Sequence, residues 1–181
     1  MRLRSLSHAL RVGWLNYGHG CLFYGNSPWI RYNSTTGHKV ACIEDLSIGQ
    51  SVEITRSFSH NDVKLFAQLS GDNNPLHLDP DYAKNTQFGR CIVHGLLING
   101  LLSALLGTKL PGYGTIYVSQ DIRFHSPLYI DEEVTALVQI SNIRRSTVYA
   151  ALTCTAKERN EVVLSGQAIV MIPKRNQIQS E

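Results

Sequence analysis

Asp72 and His77 stand five residues apart in the stretch Phe66-Ala67-Gln68-Leu69-Ser70-Gly71-Asp72-Asn73-Asn74-Pro75-Leu76-His77-Leu78-Asp79. A carboxylate and an imidazole are what general acid–base chemistry at neutral pH asks for, one group taking a proton while the other gives one. Gly71 and Pro75 fix the loop that carries them, and the loop follows a segment with helical periodicity. Each residue alone has a structural reading: Asp72 as an Asx-turn residue, His77 as a hydrogen-bonded imidazole. The joint pattern Gly-Asp-x-Asn-Pro-x-His is more specific, since five specified residues arise by chance on the order of once in millions of starting positions. A second block, Phe88-Gly89-Arg90-Cys91-Ile92-Val93-His94-Gly95-Leu96-Leu97, leads into a long apolar segment.

Those residues need elements to aim them. Ser51 to Phe58 alternates Val52, Ile54 and Phe58 and reads as a strand. Ser59 with Asp62 makes a capping-box start for a helix to about Leu69, and Asp79 to Asn85 reads as a further helical turn with Asp79 and Asp81 at its start. Residues 93–109 are apolar on nearly all sides, too short and too interrupted by His94, Asn99 and Ser103 for a membrane span, and read as a buried helix. Gly95, Gly100 and Gly107 would let a sheet approach it closely. Four strands follow, over 115–124, 133–144, 147–156 and 161–172. One helix followed by strands joined through short turns predicts an α+β fold, a curved antiparallel sheet around one long buried helix. His94 reads as structural, a helix cap or a pocket wall; His60 and His125 read as strand-end or surface residues, and Arg144-Arg145 as a solvated turn.

The chain has 181 residues, 43% hydrophobic and 17% charged, which suffices for one core and shows no disorder signature. Four cysteines, at 21, 42, 91 and 154, are too far apart for a zinc site or a redox pair, and no metal or cofactor motif is visible. No Asp or Glu precedes Glu44, whereas Arg2, Arg4, Arg11, Arg31 and Lys39 do; from Glu44 onward twelve basic residues face fourteen acidic ones. The net charge of +3 therefore sits in the leader, and nucleic-acid binding, which needs a basic footprint on the folded domain, is rejected. An Arg-rich, acid-free, Ser-containing leader has the composition of a mitochondrial transit peptide. The expected organisation is a transit peptide and linker over 1–40, a folded domain over 41–173 and a polar tail over 174–181, with no transmembrane segment and a matrix location.

The two blocks, with Tyr82-Ala83 between them, resemble the signature of the R-specific enoyl hydratase (hydratase 2, MaoC-like) family of hot-dog proteins. The resemblance covers about residues 45–172, and the leader and single-domain length are similar to the mitochondrial branch of that family in animals. It implies a hot-dog fold, a homodimer and reversible dehydration of (3R)-3-hydroxyacyl thioesters to trans-2-enoyl thioesters in mitochondrial fatty-acid synthesis. It also implies a substrate carried on acyl carrier protein or coenzyme A, and no cofactor. On this resemblance Asp72 and His77 hold the water that is added or expelled, and Asn74 holds the loop. Backbone N–H at Gly95 is the oxyanion hole, where a side chain would block the thioester. Lys84, Arg90, Lys109 and Arg123, near pocket-forming segments, are candidates for docking an acidic carrier. The alternatives are a hot-dog acyl thioesterase, which would not need Asn-Pro-x-His, and a non-catalytic acyl-binding module, in which the Asp/His pair should be broken.

Overall fold

The computed structural model describes residues 41–172. The leader expected over 1–40, the tail over 174–181 and Cys21 lie outside the described residues. A single 3₁₀ turn, Ile43–Asp45, precedes the first strand β1 (Ser51–Arg56). Three helices follow: α1 (His60–Ser70), α2 (Pro75–Leu78) and α3 (Pro80–Lys84). Then come the long helix α4 (Gly95–Thr108) and the strands β2 (Ile116–Phe124), β3 (Val134–Arg144), β4 (Thr147–Ala156) and β5 (Glu161–Met171). The five strands form one antiparallel sheet in the order β1-β3-β4-β5-β2.

Period-two patterning sets which face of the sheet meets the helix. Val134, Ala136, Val138 and Ile140 of β3 are buried, as are Val148, Ala150, Leu152, Cys154 and Ala156 of β4. Register shifts at Tyr117/Ser119, Ile140/Asn142 and Cys154/Thr155 interrupt the ladders, and such bulges bend and twist the strands that carry them. The β3–β4 hairpin turns at Arg145, which adopts φ 54°, so the Arg144-Arg145 pair is the exposed turn expected of it.

The long helix differs from expectation in one respect. It buries a single stripe, Ile98, Leu101, Leu102, Leu105 and Leu106, against β1, β2 and β3. Spacing of three and four residues puts these side chains on one face. The opposite side is open within the described chain: Leu96 is 62% exposed, and Gly100, Ser103 and Ala104 are exposed too. Burial on nearly all sides does not occur because a five-stranded sheet covers only one side of the helix.

Of the three helix glycines expected to admit the sheet, only Gly95 meets it closely, at Phe124 of β2. A Cβ on Gly100 or Gly107 would meet nothing within 4 Å, whereas one on Gly166 would lie 2.2 Å from the Asp121 carbonyl oxygen. The β5–β2 contact, which the residue types do not announce, also requires a glycine. Ile54 is another departure, 42% exposed because β1 lies at the edge of the sheet.

Candidate active site

The segment that carries Asp72 and His77 is built by successive caps. Ser59 and Asp62 exchange the two hydrogen bonds of a capping box at the start of α1. At its end Gly71 turns left-handed at φ 80°, a conformation that costs a glycine nothing, and releases the chain into the loop. Asp72 Oδ1 accepts from the Asn74 amide at 3.3 Å, and Asn74 Oδ1 accepts from the Leu76 amide at 3.1 Å. Asn74 thereby becomes the N-cap of α2, a one-turn helix with Pro75 at its first position, where turn chemistry alone predicts loop.

This turn inserts His77 into the protein. Its ring is buried, and its Nδ1 lies 2.8 Å from the carbonyl oxygen of Ile92. A carbonyl only accepts, so Nδ1 carries the proton and Nε2 of the neutral ring is bare. The Ile92 segment is fixed in turn, since Ile92 bridges to Tyr129 and the Val93 amide donates to the Leu128 carbonyl at 2.8 Å. Asp72 is exposed. Both structural readings of this pair are therefore realised: the aspartate makes an Asx turn and the histidine is held by a carbonyl. Each still leaves one atom, a carboxylate oxygen and Nε2, free for chemistry.

His94 joins them. It is the N-cap residue of α4, 1% exposed, but its side chain does not cap the helix. Its Nε2 instead lies 3.0 Å from the Asp72 carbonyl oxygen and so donates to it. Its ring stacks on His77 with centroids 3.8 Å apart and planes 29° apart, and Phe66 of α1 packs against it at 5.0 Å. Burial pushes the His94 pKa below the ordinary histidine value, and the neighbouring His77 works in the same direction. Nδ1 of His94 is buried with no hydrogen-bond partner.

The ligand-capable atoms of Asp72, His77 and His94 all lie within 4.8 Å of one another. This is the grouping of metal-ligating residue types among the described residues. Two of its four ring nitrogens are committed to carbonyls, however. The planes of two stacked rings do not meet at a point about 2.0–2.1 Å from a nitrogen of each, so a zinc ion would have to swing the rings apart. The arrangement suits a water held between carboxylate and imidazole better.

Gly95 opens α4 directly after His94. The amides of Leu97 and Ile98 return to the His94 carbonyl, which leaves the Gly95 N–H at the helix start without an intrahelical acceptor. A Cβ here would lie 2.6 Å from the Phe124 ring of β2, so the sheet crowds this position as well.

The docking candidates do not converge. Lys84 and Arg90 line one cavity of about 450 Å³ and Lys109 another of about 370 Å³, and neither is lined by Asp72 or His77. Arg90 stacks over Tyr129 at 3.9 Å. Arg123 lies on the edge strand β2. His60 begins α1 and is exposed, while His125 bonds Ser165 Oγ at 2.7 Å just beyond β2. The Cys154 thiol, buried in the sheet, is pushed up to about 12 and is no nucleophile.

A MaoC like domain matches residues 44–162. The chain belongs to the MaoC-like family. Its relatives there include the (R)-specific enoyl-CoA hydratase of Rhodospirillum rubrum, 42% identical over 73% of this chain and 92% of that protein. The mitochondrial 3-hydroxyacyl-[acyl-carrier-protein] dehydratase of Arabidopsis thaliana is 34% identical over 74% of this chain and 82% of its own. Among solved structures, the (R)-hydratase from A. caviae involved in PHA biosynthesis superimposes with a TM-score of 0.70 at 38% identity, covering 72% of this chain and 99% of that one. The MaoC-like hot-dog architecture expected from the two sequence blocks is thus the architecture of this chain.

The buried imidazole makes stability depend on pH. The folded-state pKa of His94 lies below its ordinary value, so the unfolded chain takes the proton first as pH falls. Stability should be full above the ordinary histidine pKa of about 6.5 and decline below it, by at most about 1.4 kcal/mol per pH unit from this one group. Urea denaturation between pH 7.5 and 5.5 should show the decline, and His94→Phe should flatten it. An unchanged slope in that variant would assign the effect to another group.

Proposed function

We propose that the protein catalyses the reversible hydration of trans-2-enoyl thioesters to (3R)-3-hydroxyacyl thioesters, run as the dehydratase of mitochondrial fatty-acid synthesis. The observation that carries this reading is the grouping of the His77 ring, held through Nδ1 with Nε2 bare, and the Asp72 carboxylate within 4.8 Å at the start of α4. A water between carboxylate and imidazole finds two acceptors and becomes a better nucleophile. In hydration the water oxygen bonds to C3 and gives one proton to the Asp72–His77 pair, which returns a proton to C2. Dehydration reverses each step. Charge that develops on the thioester oxygen is met by the Gly95 N–H, a preorganised donor worth typically about 3–4 kcal/mol. Asn74 acts indirectly, through the two hydrogen bonds that shape the loop. The acyl group arrives on acyl carrier protein or coenzyme A, the carriers named for the Arabidopsis and Rhodospirillum relatives.

Asp72→Asn and His77→Ala should each lower kcat for crotonyl thioester hydration by about 10²–10⁴, followed at the enoyl absorbance. The double variant should be little worse than either single one, because both residues act on one water. Free thiol released by the wild type in place of an absorbance change would mark a thioesterase. Asp72→Asn that keeps more than about a tenth of wild-type kcat would overturn the assignment.

The same reading includes a homodimer formed through β2. This edge strand exposes Ile116, Tyr117, Val118 and Phe124, and Leu96 on the open side of α4 is exposed as well. An edge strand with apolar side chains is a template for pairing, and the second edge, β1, carries Glu53 and Arg56. Sedimentation velocity should give twice the chain mass, and Val118→Asp should shift it to the monomer. A wild type that sediments as a monomer at micromolar concentration would exclude the pairing.

Residues 1–40 are read as a matrix-targeting leader, supported by their acid-free, Arg-bearing composition and by the mitochondrial relative in Arabidopsis. A fusion of residues 1–45 to a fluorescent reporter should enter mitochondria, and replacing Arg2, Arg4 and Arg11 by Glu should abolish import. A cytosolic signal from the unmodified fusion would refute the address.

A further inference from the structure

His94 is an expensive residue where it stands. It is 1% exposed, and its Nδ1 has no partner. An unsatisfied buried acceptor typically costs about 1–3 kcal/mol. A phenylalanine would fill the same space between Phe66 and His77 without that cost. What a phenylalanine cannot do is donate Nε2–H to the carbonyl oxygen of Asp72. That bond ties the main chain of an otherwise exposed loop residue to the buried start of α4. Its effect is geometric.

We infer that His94 is a positioning residue for the reaction: its Nε2–H, donated to the Asp72 carbonyl, holds the carboxylate-bearing loop at the start of α4. The inference rests on the hydratase reading of Asp72 and His77. Three parts of the proposed site meet at this one side chain. Asp72 is bonded to it through the main chain, His77 lies stacked on it at 3.8 Å, and Gly95 follows it in the sequence. The loop has local hydrogen bonds of its own, from Asn74 to Asp72 and from Leu76 to Asn74, but these fix only its internal shape. His77 anchors the far end of the loop on the Ile92 carbonyl, and the bond from His94 fixes where the Asp72 end sits relative to α4. Asp72 and His77 are the titratable groups against its ring, and a neutral ring accommodates either charge state of His77 without repulsion. Misplacement of a catalytic group by about 1 Å can cost 10²-fold in rate.

The test separates the donor from the ring. His94→Phe keeps the packing and loses the donor; His94→Gln loses the ring and places an amide N–H near the position of Nε2. His94→Phe should lower kcat for crotonyl thioester hydration by about 10–100-fold. Its KM should stay within about two-fold of wild type and its melting temperature should be unchanged or raised. His94→Gln should recover at least about five-fold of the lost kcat. Should His94→Phe fail to fold, His94→Asn takes its place, since its shorter amide cannot reach the Asp72 carbonyl, and it should fall equally far below His94→Gln. A phenylalanine variant with more than half of wild-type kcat would overturn the inference, and so would a glutamine variant no better than phenylalanine or asparagine. The wild type in the same assay keeps the two ideas apart. If it hydrates no enoyl thioester, the hydratase reading has failed; if it does and the His94 variants are indifferent, only the positioning role has.

Discussion

The apolar stripe of α4 packed against the inner face of the sheet is the constraint on which the site depends. Ile98, Leu101, Leu102, Leu105 and Leu106 each withdraw a side chain from water, a gain of roughly 1.5–3 kcal/mol apiece. Close packing then leaves the helix little freedom to slide or rotate. Because the helix is fixed, its first residue is fixed, and His94 and Gly95 stand where the loop after α1 passes. A helix free to shift by one turn would move its N-terminus about 5.4 Å and separate the imidazole from the Asp72 carbonyl.

Within that frame, main-chain carbonyls decide the protonation pattern of the site. Ile92 O holds the proton of His77 on Nδ1, and Asp72 O holds the proton of His94 on Nε2. Each carbonyl turns a symmetric ring into one with a defined donor and a defined acceptor. For His77 the acceptor is the nitrogen left free for chemistry. For His94 it is a buried nitrogen without a partner, and burial keeps that ring neutral. The two histidines thus differ in role although their side chains are chemically identical and stacked on one another. Environment alone separates them.

Among the described residues, one side of the fold presents an apolar surface. The outer face of α4 and the edge strand β2 present Leu96, Ile116, Val118 and Phe124 to solvent. The apolar residues of 93–109 are thus divided between the stripe buried against the sheet and this exposed face. Phe124 links this surface to the site, because its ring occupies the space that a side chain at Gly95 would take.

Local signals made much of this legible in the sequence alone. The capping box at Ser59 and Asp62, the helix stop at Gly71 and the alternation of β3 and β4 are all set by neighbours a few residues away. Such short-range chemistry survives translation into structure. The Asp72–His77 pair was legible for the same reason, since Gly, Asn and Pro at fixed offsets dictate one loop. What the residue types could not reveal depended on partners far along the chain. The ring of His94 meets the Asp72 carbonyl 22 residues away, and the Ile92 carbonyl that orients His77 is 15 residues distant. A carbonyl carries no residue-type signature, so a histidine governed by one looks in sequence like any structural histidine. The close approach at Gly166 escaped notice likewise, because it is set by the Asp121 backbone of a non-consecutive strand. The sequence by itself determined which groups could do the chemistry. Only the tertiary structure decided which nitrogen of each ring is free to do it, since that choice is made by main-chain atoms that long-range packing brings into reach.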